Sequence, residues 1–486
     1  SIGLLSSIHT LLKNRLALKN IEFLNAYVNI KTYEGESDSN LDLFLLKFKS
    51  SGSSGNALNL VLKQLELFNP RIKFANEHTQ ISVSGKRVYI SVDSINQAIK
   101  YFQVRTVLLD DPQITVQRTI EPESRSLDRI SSSTRPEDSC KIKPSFFVKF
   151  INCNNGKVSY KSATGETSQQ CDFANIYFSS TYNFASEDLK QIEFLTLKTN
   201  TNSGIQIKDF QINNFRLDNN SLYLGRLKAN TNKSQIEAKG ALRSSKALFS
   251  SLLQDEVSGQ LSISKGISCI SEINYFFPEL KIPLSDRIHK DTPLRISLEL
   301  KGSKRSCQLS KFSASIGAQF QINATGQIRN IGKTGKELIN LKVSDLKISS
   351  GFANTLLSND NSSIALDKLK DIHFKGSFDG FLKNFVAYGT FDTDLGSLRS
   401  DLKMSYENNI EHASYSGSLN LIRFDLGKLI NAPDIGIVDF TANVSDGYGL
   451  TAETVHAKLQ ASVHQFTYKS YSLSNAEFSG SLSKNN

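Results

Sequence analysis

The sequence predicts an all-β, elongated sheet built from repeats, with a few short helices. Two patterns carry that prediction. The first is a set of apolar residues spaced 3, 2, 5 and 2 apart, which occurs five times: Leu18, Ile21, Phe23, Val28, Ile30; Leu62, Leu65, Leu67, Ile72, Phe74; Val104, Val107, Leu109, Ile114, Val116; Val148, Ile151, Cys153, Val158, Tyr160; and Ile212, Phe215, Leu217, Leu222, Leu224. The first four sets start 44, 42 and 44 residues apart, a period typical of architectures in which each unit buries its apolar side by extending its neighbours. The second pattern is strict alternation from Leu294 onward. Leu398, Leu402 and Met404 oppose Arg399, Asp401 and Lys403, and Ala457, Leu459, Ala461 and Val463 oppose Lys458, Gln460, Ser462 and His464. Such strands have one dry face and one wet face.

Within each five-residue gap sits a turn-forming pair: Asn25-Ala26, Asn69-Pro70, Asp111-Pro112, Asn155-Gly156 and Asn219-Asn220. Taken as hairpin loops, these pairs place residue 23 opposite 28 and residue 21 opposite 30, so that each unit is a hairpin with one apolar side. Pro cannot take the positive φ of a tight type I′ loop, so Pro70 and Pro112 point to wider turns or bulged corners.

Along the chain, residues 1–120 read as an N-terminal β-repeat region, with further alternating strands at Ile81 to Val83 and Val88 to Val92. Residues 121–145 are charged and Ser-rich, with Pro122, Pro136 and Pro144, and read as a polar flexible insertion. Residues 146–486 resume the β-repeats. Short helices are expected at Ser244 to Gln254 and Ile270 to Leu280.

A formal charge of +10 in 486 residues suggests an acidic partner, either anionic lipid headgroups or nucleic acid. The basic residues are spread along the strands and no recognition module is present, so nucleic acid is not expected. No apolar run approaches the ~18 residues needed to cross a bilayer. The chain starts at Ser1 and stops just after a strand-like segment, so an anchor or signal is expected upstream. Cys140, Cys153, Cys171, Cys269 and Cys307 match no zinc spacing. Cys153 occupies an apolar slot, and a Cys140–Cys171 bridge could close the insertion in an oxidising compartment.

Chemistry is hard to place. The seven histidines include no pair at helical ligand spacing, and His456 and His464 fall on a wet face. Gly332-Lys333-Thr334 misses a phosphate loop by one position, because the required upstream glycine is Gln327 and Gly326 is out of register. With no nucleophile elbow and no dinucleotide fingerprint, neither an enzyme nor a metal or cofactor is expected.

Leu11 to Glu36, Phe374 to Met404 and Tyr415 to Val444 together resemble the TamB branch of the AsmA-like bridge proteins of the cell envelope, and the tail from Leu450 to Leu482 continues in the same style. The resemblance implies a periplasmic protein, anchored in the inner membrane, whose twisted sheet curls into a U-shaped apolar trough, a β-taco. It implies phospholipid as cargo moving between the inner and outer membranes. The resemblance implies an N-terminal anchor and a C-terminal domain, through which the family meets the inner membrane and an Omp85-type outer-membrane barrel, and both are expected outside residues 1–486. An acyl chain of 16 carbons carried through water exposes on the order of 12 kcal/mol of apolar surface at ~0.8 kcal/mol per methylene, a barrier that a dry trough removes. About 40 strands at ~4.8 Å would reach on the order of 190 Å. The expected lining is Phe385, Phe391, Leu398, Leu402, Met404, Leu419, Leu421, Phe440, Val444, Leu459, Val463 and Phe466, with Arg399, Lys403 and Lys458 facing solvent. Two alternatives stay open: a scaffold whose strand edges assist assembly of outer-membrane β-barrels, and a structural spacer with a closed interior.

Overall fold

The computed structural model describes residues 15–33, 36, 39–40, 43, 59–96, 101–120, 145–164, 167–186, 188–245, 257–276, 288–303, 305–333, 335–357, 366–407, 412–450, 454–469 and 471–483. The described residues are nearly all strand, twenty-six in number, with three short helices and one 3₁₀ turn. The expected helix at Ser244 to Gln254 and the insertion 121–145 fall almost wholly outside the described residues. The estimate of about 40 strands is corrected downward, because bulged strands reach 19 and 20 residues. The chain divides into two compact units, Ser1–Asn232 and Lys233–Asn486, each with thirteen strands.

In the first unit the strands are β1 Arg15–Leu24, β2 Tyr27–Lys31, β3 Asn59–Phe68, β4 Arg71–Ala75, β5 Thr79–Ser84, β6 Arg87–Asn96, β7 Tyr101–Asp110, β8 Gln113–Ile120, β9 Ser145–Thr164, β10 Thr167–Ala185, β11 Leu189–Thr201, β12 Gln206–Asp218 and β13 Ser221–Asn230. Four of the five expected hairpins are absent. β1 does not fold back on β2. It runs parallel to β3, with Leu18 beside Leu62, Ile21 beside Leu65 and Phe23 beside Leu67, while β2 runs parallel to β4 with Val28 beside Ile72. β7 and β8 likewise lie parallel to the two halves of β9. Each turn pair is a corner within one continuing strand line. The first and second sets lie flank to flank, as do the third and fourth, so the 44-residue step is the distance to the parallel neighbour, while β5 and β6 stand between the second and third sets.

The corner chemistry explains why these pairs look like hairpin loops. Asn25, Asn69, Asp111 and Asn155 all sit at positive φ, between +49° and +57°, where Asn and Asp are the best tolerated residues after Gly. Only the first residue of each pair is left-handed, so the second can be Pro. The ladder bonds come from the flanking residues, Asn69 N to Lys86 O at 3.0 Å and Arg71 N to Ala26 O at 2.8 Å, and the missing N–H of Pro70 costs nothing. The corner side chains bond across the stack at the repeat distance of 44 residues: Asn69 Nδ2 donates to Asn25 Oδ1 at 3.3 Å and Asn155 Nδ2 to Asp111 Oδ1 at 2.6 Å. Pro70, Pro112 and Gly156 are buried, so the five-residue gap hides one more inward residue after a one-residue bulge. Bulged corners, one of the two readings of Pro70 and Pro112, are what the structure has. Asn155→Ala should cost about 1–2 kcal/mol through lost left-handed tolerance and a lost hydrogen bond, and Asn155→Gly clearly less, read as shifts in the urea midpoint.

The fifth set does form a hairpin. β12 and β13 are antiparallel with Leu217 opposite Leu222 and Phe215 opposite Leu224, as its spacing predicts. Within its 3-residue step from Ile212 to Phe215, Asn214 sits at φ +54° while the register stays unbroken on both sides. The strands expected at Ile81 to Val83 and Val88 to Val92 are present as β5 and β6.

The second unit is an antiparallel meander of β14 Gln235–Ser244, β15 Val257–Ser268, β16 Leu294–Ser303, β17 Ser306–Ile316, β18 Phe320–Arg329, β19 Leu338–Ser349, β20 Asp371–Phe381, β21 Asn384–Thr393, β22 Gly396–Ser405, β23 Ser414–Asp425, β24 Ile435–Tyr448, β25 His456–Tyr468 and β26 Tyr471–Ser483. Helices α1 Ile270–Phe276, α2 Ser350–Leu357 and α3 Leu426–Ile430 follow β15, β19 and β23, one for every four strands. The 3₁₀ turn Leu366–Leu369 precedes β20, so all four pieces stand at the same ends of the strands, here termed the helix rim. α1 matches the helix expected from Ile270. α3 is capped by Asp425, which accepts from Lys428 N at 3.0 Å, and is closed by Asn431 at φ +56°.

Candidate functional site: two continuous apolar faces

Residues paired across neighbouring strands share a face, so the register traces apolar rows from strand to strand. In the first unit one row runs Phe23, Leu67, Val88, Leu109, Cys153, and on through Phe178, Leu197, Phe210 to Ala229. The row beside it runs from Ile21 through Leu65, Ile90, Val107 and Ile151 to Leu227, with one polar member, Ser180. Ser180 is fully buried and bonded to Asn183 Oδ1, so it is satisfied in place.

The second unit repeats this on a larger scale. A row starts at Gly240 and passes Leu261, Leu300, Leu309, Gly326 and Leu341 to Phe378, then Ala387, Leu402, Gly417, Val444 and Leu459 to Gly480. It crosses all thirteen strands without a charged or polar side chain. At ~4.8 Å per strand that is roughly 58 Å of unbroken apolar surface. A row nearer the rim opposite the helices includes Cys307, Ile328, Ile339, Phe385, Met404 and Tyr415.

The twelve expected lining residues all fall on this face. Phe391, Leu398, Leu421, Phe440 and Val463 form one row, Phe385 pairs with Met404, Val444 pairs with Leu459, Leu419 pairs with Ala442, and Phe466 pairs with Val438. Arg399, Lys403 and Lys458 are exposed on the other side. The twelve are not equivalent, however. Near the helix rim three buried clusters have formed: Ile270, Ile288 and Phe352; Ala324, Val343 and Phe374, against which Phe391 packs; and Leu395, Phe424 and Val438, joined by Leu421, Phe440, Phe466 and by Leu426 and Leu429 of α3. Four of the twelve therefore belong to packed core. Away from those clusters Phe385, Leu402, Met404, Leu419 and Leu459 remain half-buried, and Val444 alone of the twelve is buried.

Electrostatics separate the two sides. Every dry-face ionisable group with a displaced pKa is pushed toward its neutral form: burial raises the Cys153 and Cys307 thiols and the Tyr415 phenol. On the wet side carboxylates are held ionised by donors. Ser159 bonds Asp172 at 2.6 Å and Lys458 bonds Asp446 at 2.7 Å, and both carboxyls lie below the ordinary Asp value.

Sequence reading missed Tyr415, Phe378 and Phe374. Phe374 is reached only through register, because its ring lies over Gly376 and Gly389 on adjacent strands and packs against Phe391, ring centroids 4.5 Å apart and planes tilted by 37°. Cys153, Cys171, Cys269 and Cys307 are free thiols, so Cys171 is not bridged; Cys140 lies outside the described residues. Gly332 and Lys333 sit in the open β18–β19 connection, with no strand-to-helix turn to cradle a phosphate. Among the described residues no cluster of metal-binding side chains occurs, and no helix is long and apolar enough to cross a membrane. No protein-family model, curated protein or solved structure matches the chain.

Proposed function

We propose that the apolar faces are walls of a trough that shields phospholipid acyl chains in transit between the inner and outer membranes, in a periplasmic protein anchored in the inner membrane and related to TamB and the AsmA-like bridge proteins. The observation that carries the reading is the thirteen-strand row that holds no charge and is mostly half-buried, with only Leu309 and Val444 at core burial. A closed interior would bring such side chains to core burial, as the three clusters at the helix rim do. Half-burial leaves apolar surface for a ligand to cover, and the length of the row suits a chain that slides rather than one that docks. Catalysis has no part in this function. Mass spectrometry of organic extracts from the purified protein should find phospholipid in at least molar amount. Extracts free of lipid, from protein purified without detergent, would count against the trough.

One observation favours a second reading, a scaffold for outer-membrane β-barrels working with an Omp85-type partner. β26 pairs only with β25 among the described residues, and Tyr471, Leu473 and Phe478 are more than half exposed. An edge of this kind can template a client strand. Crosslinks to nascent barrel proteins confined to β26, with no lipid on the rows, would put this reading first.

A further inference from the structure

The two rims that border the apolar face of the second unit differ in packing and in charge. At the helix rim the space is filled by the buried clusters under α1, α2 and α3, and three cations there pair with carboxylates, Lys233 with Asp291 at 2.8 Å, Lys370 with Asp394 at 3.0 Å and Lys428 with Asp425 at 2.8 Å, while the exposed Arg295 and Lys347 form no ion pair among the described residues. At the opposite rim the β16–β17, β18–β19 and β20–β21 connections and their flanks carry Lys301, Arg305, Arg329, Lys336 and Lys383, all exposed. None of these five forms an ion pair among the described residues. The Arg329 guanidinium donates to Gln327 Oε1 at 3.0 Å and the Lys383 ammonium to the Glu407 carbonyl, both uncharged acceptors. Lys301 and Arg329 each adjoin, in sequence, a member of the outermost apolar row, Gly302 and Ile328, and so start from the exposed side of the sheet at its edge.

We infer that this rim holds the phosphates of anionic acyl lipids whose chains lie on the two apolar rows beside it. The inference rests on the acyl-chain reading and adds the headgroup charge and the orientation. An amphiphile with its chains along the rows must bring its head out at one rim, and the helix rim is already filled. Successive hairpin connections lie about 10 Å apart, two strand spacings, which is close to one Debye length at physiological salt. The five cations therefore act as one band, and a phosphate leaving any position meets the next charge before it is screened. Cations that form no close ion pair favour a net-negative headgroup over an uncharged one.

The test compares capture of dioleoylphosphatidylglycerol with capture of dioleoylglycerol, which has the same chains and no phosphate, by the full chain and by the quadruple variant Arg305→Gln, Arg329→Gln, Lys336→Gln, Lys383→Gln. A control variant, Arg295→Gln with Lys347→Gln, removes two exposed charges from strand ends near the helix rim. The quadruple variant should lose on the order of tenfold in affinity for the phosphatidylglycerol, with a flatter salt dependence, and keep its affinity for the diacylglycerol. The control should change neither, and circular dichroism should show both variants folded. Excess inorganic phosphate should leave the lipid bound, because the chains hold it. Unchanged affinity for the anionic lipid in the quadruple variant, or equal loss for both lipids, would overturn the basic-rim assignment while leaving the trough standing. Displacement by phosphate would make the rim a free-anion site. Capture of neither lipid by the wild-type chain would remove the acyl-chain reading itself, and this inference with it.

Discussion

Leu402→Asp should abolish lipid capture along the second unit while leaving the sheet folded. Leu402 lies mid-row between Ala387 and Gly417 and is half-buried. In the free protein an aspartate there keeps part of its hydration, so the expected cost to folding is only about 1–2 kcal/mol. Once an acyl chain covers it, the carboxylate loses water and gains no cation, a penalty of several kcal/mol that lowers occupancy by more than about 100-fold. Lys403→Asp places the same charge one residue away on the exposed side and should change capture by less than about twofold. The pair separates a dry-face effect from a general effect of charge, with capture read by a lipid photoprobe and folding by the urea midpoint.

A large effect on stability is expected at Gly389. A Cβ there would stand 2.5 Å from Phe374 Cε2 and would clash with the Lys375 carbonyl oxygen, so neither the ring nor the strand could stay in place. Phe374 belongs to a buried cluster with Ala324 and Val343, and expelling it opens a void next to Phe391. Gly389→Ala should therefore destabilise the second unit by about 2–4 kcal/mol. Gly480, on the same face but with nothing within 4 Å of its added Cβ, should accept Ala with a change within about 0.5 kcal/mol. Equal effects at the two sites would show that Phe374 does not fill the glycine depression.

The shared face was legible in the sequence because alternation fixes which residues share a side, and the twelve residues expected to line a trough do share one face across β21 to β25. The path of the chain in the first unit was not legible. An Asn-Pro or Asn-Gly pair between apolar runs is compatible with a hairpin loop and with a bulged corner, since both call for a left-handed residue. Only the partner strand decides between them. The repeat distance itself held the missing clue, because Asn25 and Asn69 stand 44 residues apart and meet only if the units run parallel. Phe374 and Tyr415 escaped for a related reason. Each is an ordinary strand residue until its ring is set over a glycine of the neighbouring strand: Gly389, diagonal to Phe374, whose register partner is Phe391, and Gly447, the register partner of Tyr415. The difference between core and open lining along one face was also hidden, because it depends on three helices that recur every four strands.

The central claim is that one face of this sheet holds acyl chains, and photo-crosslinkers introduced in pairs along one row test it most directly. Leu341, Leu402 and Leu459 lie on the thirteen-strand row, and Lys342, Lys403 and Lys458 are their exposed neighbours on the other side. In cells, phospholipid should crosslink at all three leucine positions and at none of the three lysine positions. Capture at the lysines in place of the leucines, or at neither set, would contradict the account.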